Sequence, residues 1–157
     1  MRILSRLADA YRRWRHTRGF GVHSPFAYAI VTEALYPRRG YAYYLENDSR
    51  LESPLPGESG RARALYRLCI FLRQRHASPL KVHLMPEAPR CYRMAVRLAG
   101  AVIARNPDEA HCRVVRTESY RRECSQAPLH GQLMFSGREI TILVSGRDMA
   151  PTAYTLP

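Results

Sequence analysis

From residue 61 onward the spacing of apolar residues changes period several times, and this alternation restricts the fold more than any other feature of the chain. Ala64, Leu65, Leu68, Cys69 and Leu72 fall at three- and four-residue steps and predict a helix over residues 61–76. The run 80–85 reads as a strand, with Pro86-Glu-Ala-Pro89 as its exit turn. Helical spacing resumes over 90–105 through Met94, Ala95, Leu98, Ala99, Val102 and Ile103. Residues 112–117 form a short second strand, and 132–136 and 139–145 are two β-rich runs around Gly137-Arg138, a hairpin signal. Helix, strand, helix, strand in that order predicts an α/β fold with a parallel pair of strands joined by a crossover helix.

The first third of the chain is helical by pattern. Ile3, Leu4, Leu7, Tyr11 and Trp14 mark an amphipathic helix over residues 2–16, with arginines between them. Gly19 and Gly21 then supply a turn, and Ser24-Pro25 signals a helix start: the hydroxyl caps free amides and the proline takes the first helical position. Phe26, Ala27, Ile30, Val31, Ala34 and Leu35 keep the period until Tyr36-Pro37 stops it. Tyr41, Tyr43 and Tyr44 follow as an aromatic cluster, read as packing residues, and SPLPGESG at 53–60 is a loop by composition. Residues 1–57 are therefore expected to form a helical N-terminal extension, and 58–157 an α/β domain.

Composition narrows the function. The chain has 157 residues, a one-domain length, and no apolar run near the ~18 residues of a membrane-spanning helix. Its start lacks the unbroken apolar stretch of a secretory signal, so the expected location is cytoplasmic. The net charge of +12 invites a nucleic-acid partner, but 24 of the 25 basic residues are Arg and they are scattered from Arg2 to Arg147. Phosphate-holding surfaces use both basic residue types, so the ratio reads as coding bias and nucleic acid is not the expected partner. Cys69, Cys91, Cys112 and Cys124 form no C-x-x-C pair, and no spaced His/carboxylate cluster appears, so no metal is expected.

RGFGVHSPFAY at 18–28, YAYYLE at 41–46 and ALYRLCIFL at 64–72 resemble the opening of a group of bacterial class I S-adenosylmethionine-dependent methyltransferases of the Bacteroidetes type. The likeness covers roughly residues 10–80, and the HSPF segment is its most specific part. It implies a Rossmann-like core, S-adenosylmethionine as cofactor and a methyl-transfer reaction. In that family the first core strand ends in a glycine pattern that lets the backbone approach the cofactor. Here the stretch is Val82-His-Leu-Met-Pro-Glu-Ala-Pro89, with no glycine and two prolines, and its acidic residue is replaced by His83 or displaced to Glu87.

Farther on, the resemblance implies that Glu118, after the second strand, accepts hydrogen bonds from the cofactor ribose. Ile140–Ser145 is similar to the family strand that ends in an Asp near the methyl-transfer centre; Ser145 stands at that place and Asp148 is displaced from it. His23 and Tyr44 are the candidates for a general base in the better-matched region, and neither is assigned the role. With the chain stopping at Pro157, the expectation is an incomplete Rossmann-like methyltransferase core, catalytically impaired or inactive. It would fold with a homo-oligomer or protein partner over its open sheet edge. The alternative is a basic protein that binds nucleic acid or a membrane surface without enzymatic activity.

Overall fold

The computed structural model describes residues 24–37, 48–76, 78–123, 131–146 and 152–155. The predicted helix 2–16, the glycine turn, His23, the tyrosine cluster at 41–44, Cys124 and Asp148 lie outside the described residues.

Ser24 caps helix α1 (Pro25–Ala29) as its sequence predicts, its Oγ accepting from the Ala27 amide at 3.3 Å with Pro25 in the first turn. The helix continues as a wider π-turn over Ile30–Leu35, and the Tyr36 amide reaches back five residues to the Val31 carbonyl at 2.8 Å. Pro37 pushes Tyr36 out of helical geometry, to φ −131°, and the run stops there. Arg67 takes up two of the carbonyls this end leaves bare, donating to Ala34 at 2.6 Å and Leu35 at 3.0 Å.

Helix α2 (Glu58–Arg73) begins at Gly57, whose φ of +79° suits glycine, and the Ser53 side chain folds back onto Glu58 to order the preceding loop. Strand β1 (Lys81–Leu84) and helix α3 (Arg90–Leu98) follow. The helix expected to reach residue 105 stops at Leu98. Gly100, at φ +70°, donates to Arg97 at 2.9 Å and Ala101 donates to Val96 at 3.0 Å, the paired bonds of a glycine-terminated helix. Val102–Ile103, which happen to keep helical spacing, instead form strand β2.

The strand at Cys112–Arg116 is therefore β3, the third rather than the second. It leads into the short helix α4 (Thr117–Glu123), and β4 (Gln132–Ser136), β5 (Ile140–Ser145) and β6 (Thr152–Thr155) complete the described sheet. The expected hairpin is present, closed by the Gly137 amide on the Ile140 carbonyl at 2.9 Å.

The fold is α/β on a mixed six-stranded sheet in the order β2-β1-β3-β5-β4-β6. β1 pairs parallel with β2 and β3, β4 pairs parallel with β6, and β5 runs against both of its neighbours. Val82, Leu84, Cys112, Val114, Leu133, Phe135, Ile142 and Val144 line one face and share a core with α1, α2 and α3. Leu51 joins that core, so the described part of the N-terminal region packs directly on the α/β unit. Among the described residues no helix is long and apolar enough to cross a membrane.

Candidate functional site

In the order β2-β1-β3 the chain leaves β1 to one side and returns on the other, so the carboxyl ends of β1 and β3 border a topological switch point. Crevices at such points are where open α/β sheets bind ligands, because the loops above neighbouring strands diverge there. A cleft of about 390 Å³ occupies this place, between Met85 and Pro89 after β1, Arg116 at the end of β3 and Glu118 just beyond it, and Glu58 and Arg61 on the first turn of α2.

The loop after β1 is a proline turn. The Ala88 amide closes it on the Met85 carbonyl at 2.9 Å, with Pro86 at the turn's second position. Arg93 ties it down from α3, donating to the Pro86 carbonyl at 3.1 Å. Pro89 precedes α3, and its carbonyl accepts from Tyr92 and Arg93. Two prolines leave this turn two backbone donors short of an ordinary loop, so it cannot form the row of amides that cradles an anionic or carboxylate group.

Across the cleft, Arg61 is clamped. Its Nε donates to the Tyr92 Oη at 2.8 Å, and its Nη2 pairs with Glu139 of the β4–β5 turn at 2.7 Å. Burial works against the Arg61 charge, but the Tyr92 bond and the charges of Glu139 and Glu58 outweigh it and hold the guanidinium above its ordinary value. Burial pushes the Tyr92 phenol up as well, against the opposing pull of Arg61, which makes it a neutral acceptor rather than a base. Thr117, almost fully buried, fixes the hairpin turn to α4: its hydroxyl donates to the Gly137 carbonyl at 2.9 Å, and its amide donates to the Glu139 carbonyl at 3.0 Å.

Glu118 lines the cleft from the first turn of α4, and its exposed carboxylate stands 3.9 Å from Arg122. It follows β3, on the opposite side of β1 from the crossover strand β2. Glu87 lies in the same cleft. Ser145 does not. Because β5 is antiparallel to β3, its Ser145 end sits at the amino edge of the neighbouring strands, where the Ser145 amide donates to His111 at 2.9 Å. It is the Ile140 end of β5 that reaches the cleft. Ser145 therefore lies at the opposite sheet edge from the cleft: the tight turn at Gly137-Arg138 reverses the strand, which similarity of residue type does not register.

His83 points away from the cleft: it alternates with Val82 and Leu84, which face the helices, and sits beside Arg113. Arg61, Tyr92, Arg116, Arg138 and Glu139 carried no functional signal in the sequence. They come from separate elements, and only the hairpin signal at Gly137-Arg138 pointed near them. Among the described residues no three His, Cys, Asp or Glu side chains converge as metal ligands. Compared with models of protein families, with characterised proteins and with solved structures, the chain matches none of them.

Proposed function

We propose that the chain is a methyltransferase-like domain: a Rossmann-like sheet with a helical N-terminal extension, related to class I S-adenosylmethionine-dependent methyltransferases and impaired in catalysis. The observation that carries this reading is the cleft at the carboxyl ends of β1 and β3, with Glu118 and Glu87 on its wall. Carboxylates there suit the hydroxyls of a nucleoside and a positively charged sulfur centre.

The residues fit the cofactor only in part. Acceptors for hydroxyls are present; the amide cradle for the amino-acid end is missing from the Pro86–Pro89 turn. Transfer depends on holding donor and acceptor in line, and loss of the cradle removes that alignment before any general base matters.

Calorimetric titration of S-adenosylmethionine, paired with a radiolabelled methyl-release assay, tests the reading. Weak binding, with a Kd above about 100 μM (roughly −5.5 kcal/mol), lost in Glu118→Ala and without turnover, is the expected result. Tight binding with turnover would refute the impairment. Binding indifferent to Glu118→Ala, or none at all, would refute the site. Salt-sensitive binding of RNA in place of the cofactor would favour the alternative of a basic surface protein.

A further inference from the structure

His111 immediately precedes β3 and holds the start of β1 by two hydrogen bonds. Its backbone amide donates to the Lys81 carbonyl at 2.9 Å, and its ring Nδ1 accepts from the Lys81 amide at 3.0 Å. That amide is the first of β1, and the imidazole stands in for the strand carbonyl that would otherwise accept from it. The His111 carbonyl accepts from the Ser145 amide at 2.9 Å, which brings the end of β5 to the same point.

This bond fixes the state of the ring. A nitrogen that accepts carries no proton, so neutral His111 has its hydrogen on Nε2. A second proton can enter only at Nδ1, where it meets the Lys81 N–H as donor against donor. Among the described residues, the titratable groups that flank the ring are His76 just past α2, Lys81 and His83 on β1, Asp108 and Glu109 in the turn before β3, and Arg113 farther along β3. The His76 ring lies 4.7 Å away between centroids, and Lys81 Nζ holds Glu109 at 3.1 Å. Burial first, then the charges of His76 and Lys81, lower the His111 pKa.

We propose that His111 is an acid-sensitive latch on the amino edge of the sheet: as imidazolium it lets go of the Lys81 amide and frees the start of β1, while the cleft end of β1 stays paired. The cleft end is held differently. The Met85 amide donates at 2.9 Å to the backbone carbonyl of Val114, which has no proton to gain in this range. Opening is therefore local to the amino edge and reversible with pH. The inference does not depend on a methyl donor occupying the cleft.

Amide hydrogen exchange followed by NMR on the full chain at pH 7 and pH 5, with rates corrected for intrinsic exchange at each pH, tests it. His111→Asn puts a carbonyl oxygen where Nδ1 stands, an acceptor that does not titrate; His111→Leu keeps a similar shape without an acceptor. Protection of the Lys81 amide should fall at least tenfold from pH 7 to pH 5 in the wild type, stay level in His111→Asn and be low at both pH values in His111→Leu. Should the Leu variant fail to fold, the comparison of wild type with His111→Asn decides alone. Met85 should change less than twofold in the wild type, and long-range ¹H–¹⁵N spectra at pH 7 should show the Nε2–H tautomer of His111. An Nδ1–H tautomer, the same pH course for Lys81 in wild type and His111→Asn, or Met85 losing protection in step with Lys81 would overturn the proposal.

Discussion

Replacing Tyr92 with Phe tests the clamp that shapes the cleft. The ring is 1% exposed and packs from α3 into the shared core, so Phe preserves its contacts and removes one oxygen. That oxygen is the acceptor for the Arg61 Nε at 2.8 Å. A hydrogen bond to a charged group is worth about 1.5–3 kcal/mol, and because the Arg61 side chain is 24% exposed, water replaces part of it, which places the expected loss near ~1.5 kcal/mol. In a chain of this length that corresponds to a fall in Tm of about 3–6 °C.

Glu139→Gln is the internal comparison. The pair at 2.7 Å is shorter, yet Glu139 is 57% exposed, and a surface ion pair contributes only about 0.2–1 kcal/mol. The two substitutions share Arg61, so their effects should not add. Urea unfolding of wild type, both single variants and the double variant gives all four values. A loss below about 0.5 kcal/mol for Tyr92→Phe, or a larger loss for Glu139→Gln, would refute the argument that burial rather than distance sets the strength of the clamp.

Two further outcomes follow from partly or fully buried ionisable groups. Burial, with His76 and Lys81 nearby, lowers the His111 pKa, and burial followed by Arg113 lowers that of His83, so the unfolded chain binds more protons below its ordinary value of about 6.5. Stability should be level above that pH and fall as pH drops through the lowered folded values; unfolding midpoints from pH 7.5 to 5.5 should show a slope that His83→Asn with His111→Asn flattens, and an unchanged slope would reject these histidines as the cause. Burial pushes the Cys112 thiol up to about 12, Cys69 well above its ordinary value, and Cys91 upward as well. In a Cys124→Ser background a thiol-specific disulfide reagent at pH 8 should label none of the three within minutes unless denaturant is added, and rapid native labelling would contradict their burial.

Features set by a few neighbouring residues were legible from the chain. Ser24-Pro25 started α1, Tyr36-Pro37 stopped it, and Gly137-Arg138 turned the hairpin, because capping hydroxyls and prolines act within a turn of where they stand. Gly100 carried the same kind of information, yet the helix was expected to run past it. Val102 and Ile103 satisfy helical and strand spacing alike, and a short apolar pair has no period of its own to decide between them.

The residue pattern of 112–117 and 139–145 marked them as strands. It carried no information on neighbours or direction, since a period of two is the same for a strand run either way. The order β2-β1-β3-β5-β4-β6 and the reversal of β5 arise from pairing between distant segments, and they moved Ser145 to the far edge while leaving Glu118 in the cleft. The Arg61–Tyr92–Glu139 clamp has the same origin: three residues with no local pattern meet because α2 and α3 share one face of the sheet and the hairpin turn reaches its edge. Short-range chemistry thus laid out the elements, and packing among elements far apart in the chain chose which side chains share a cavity.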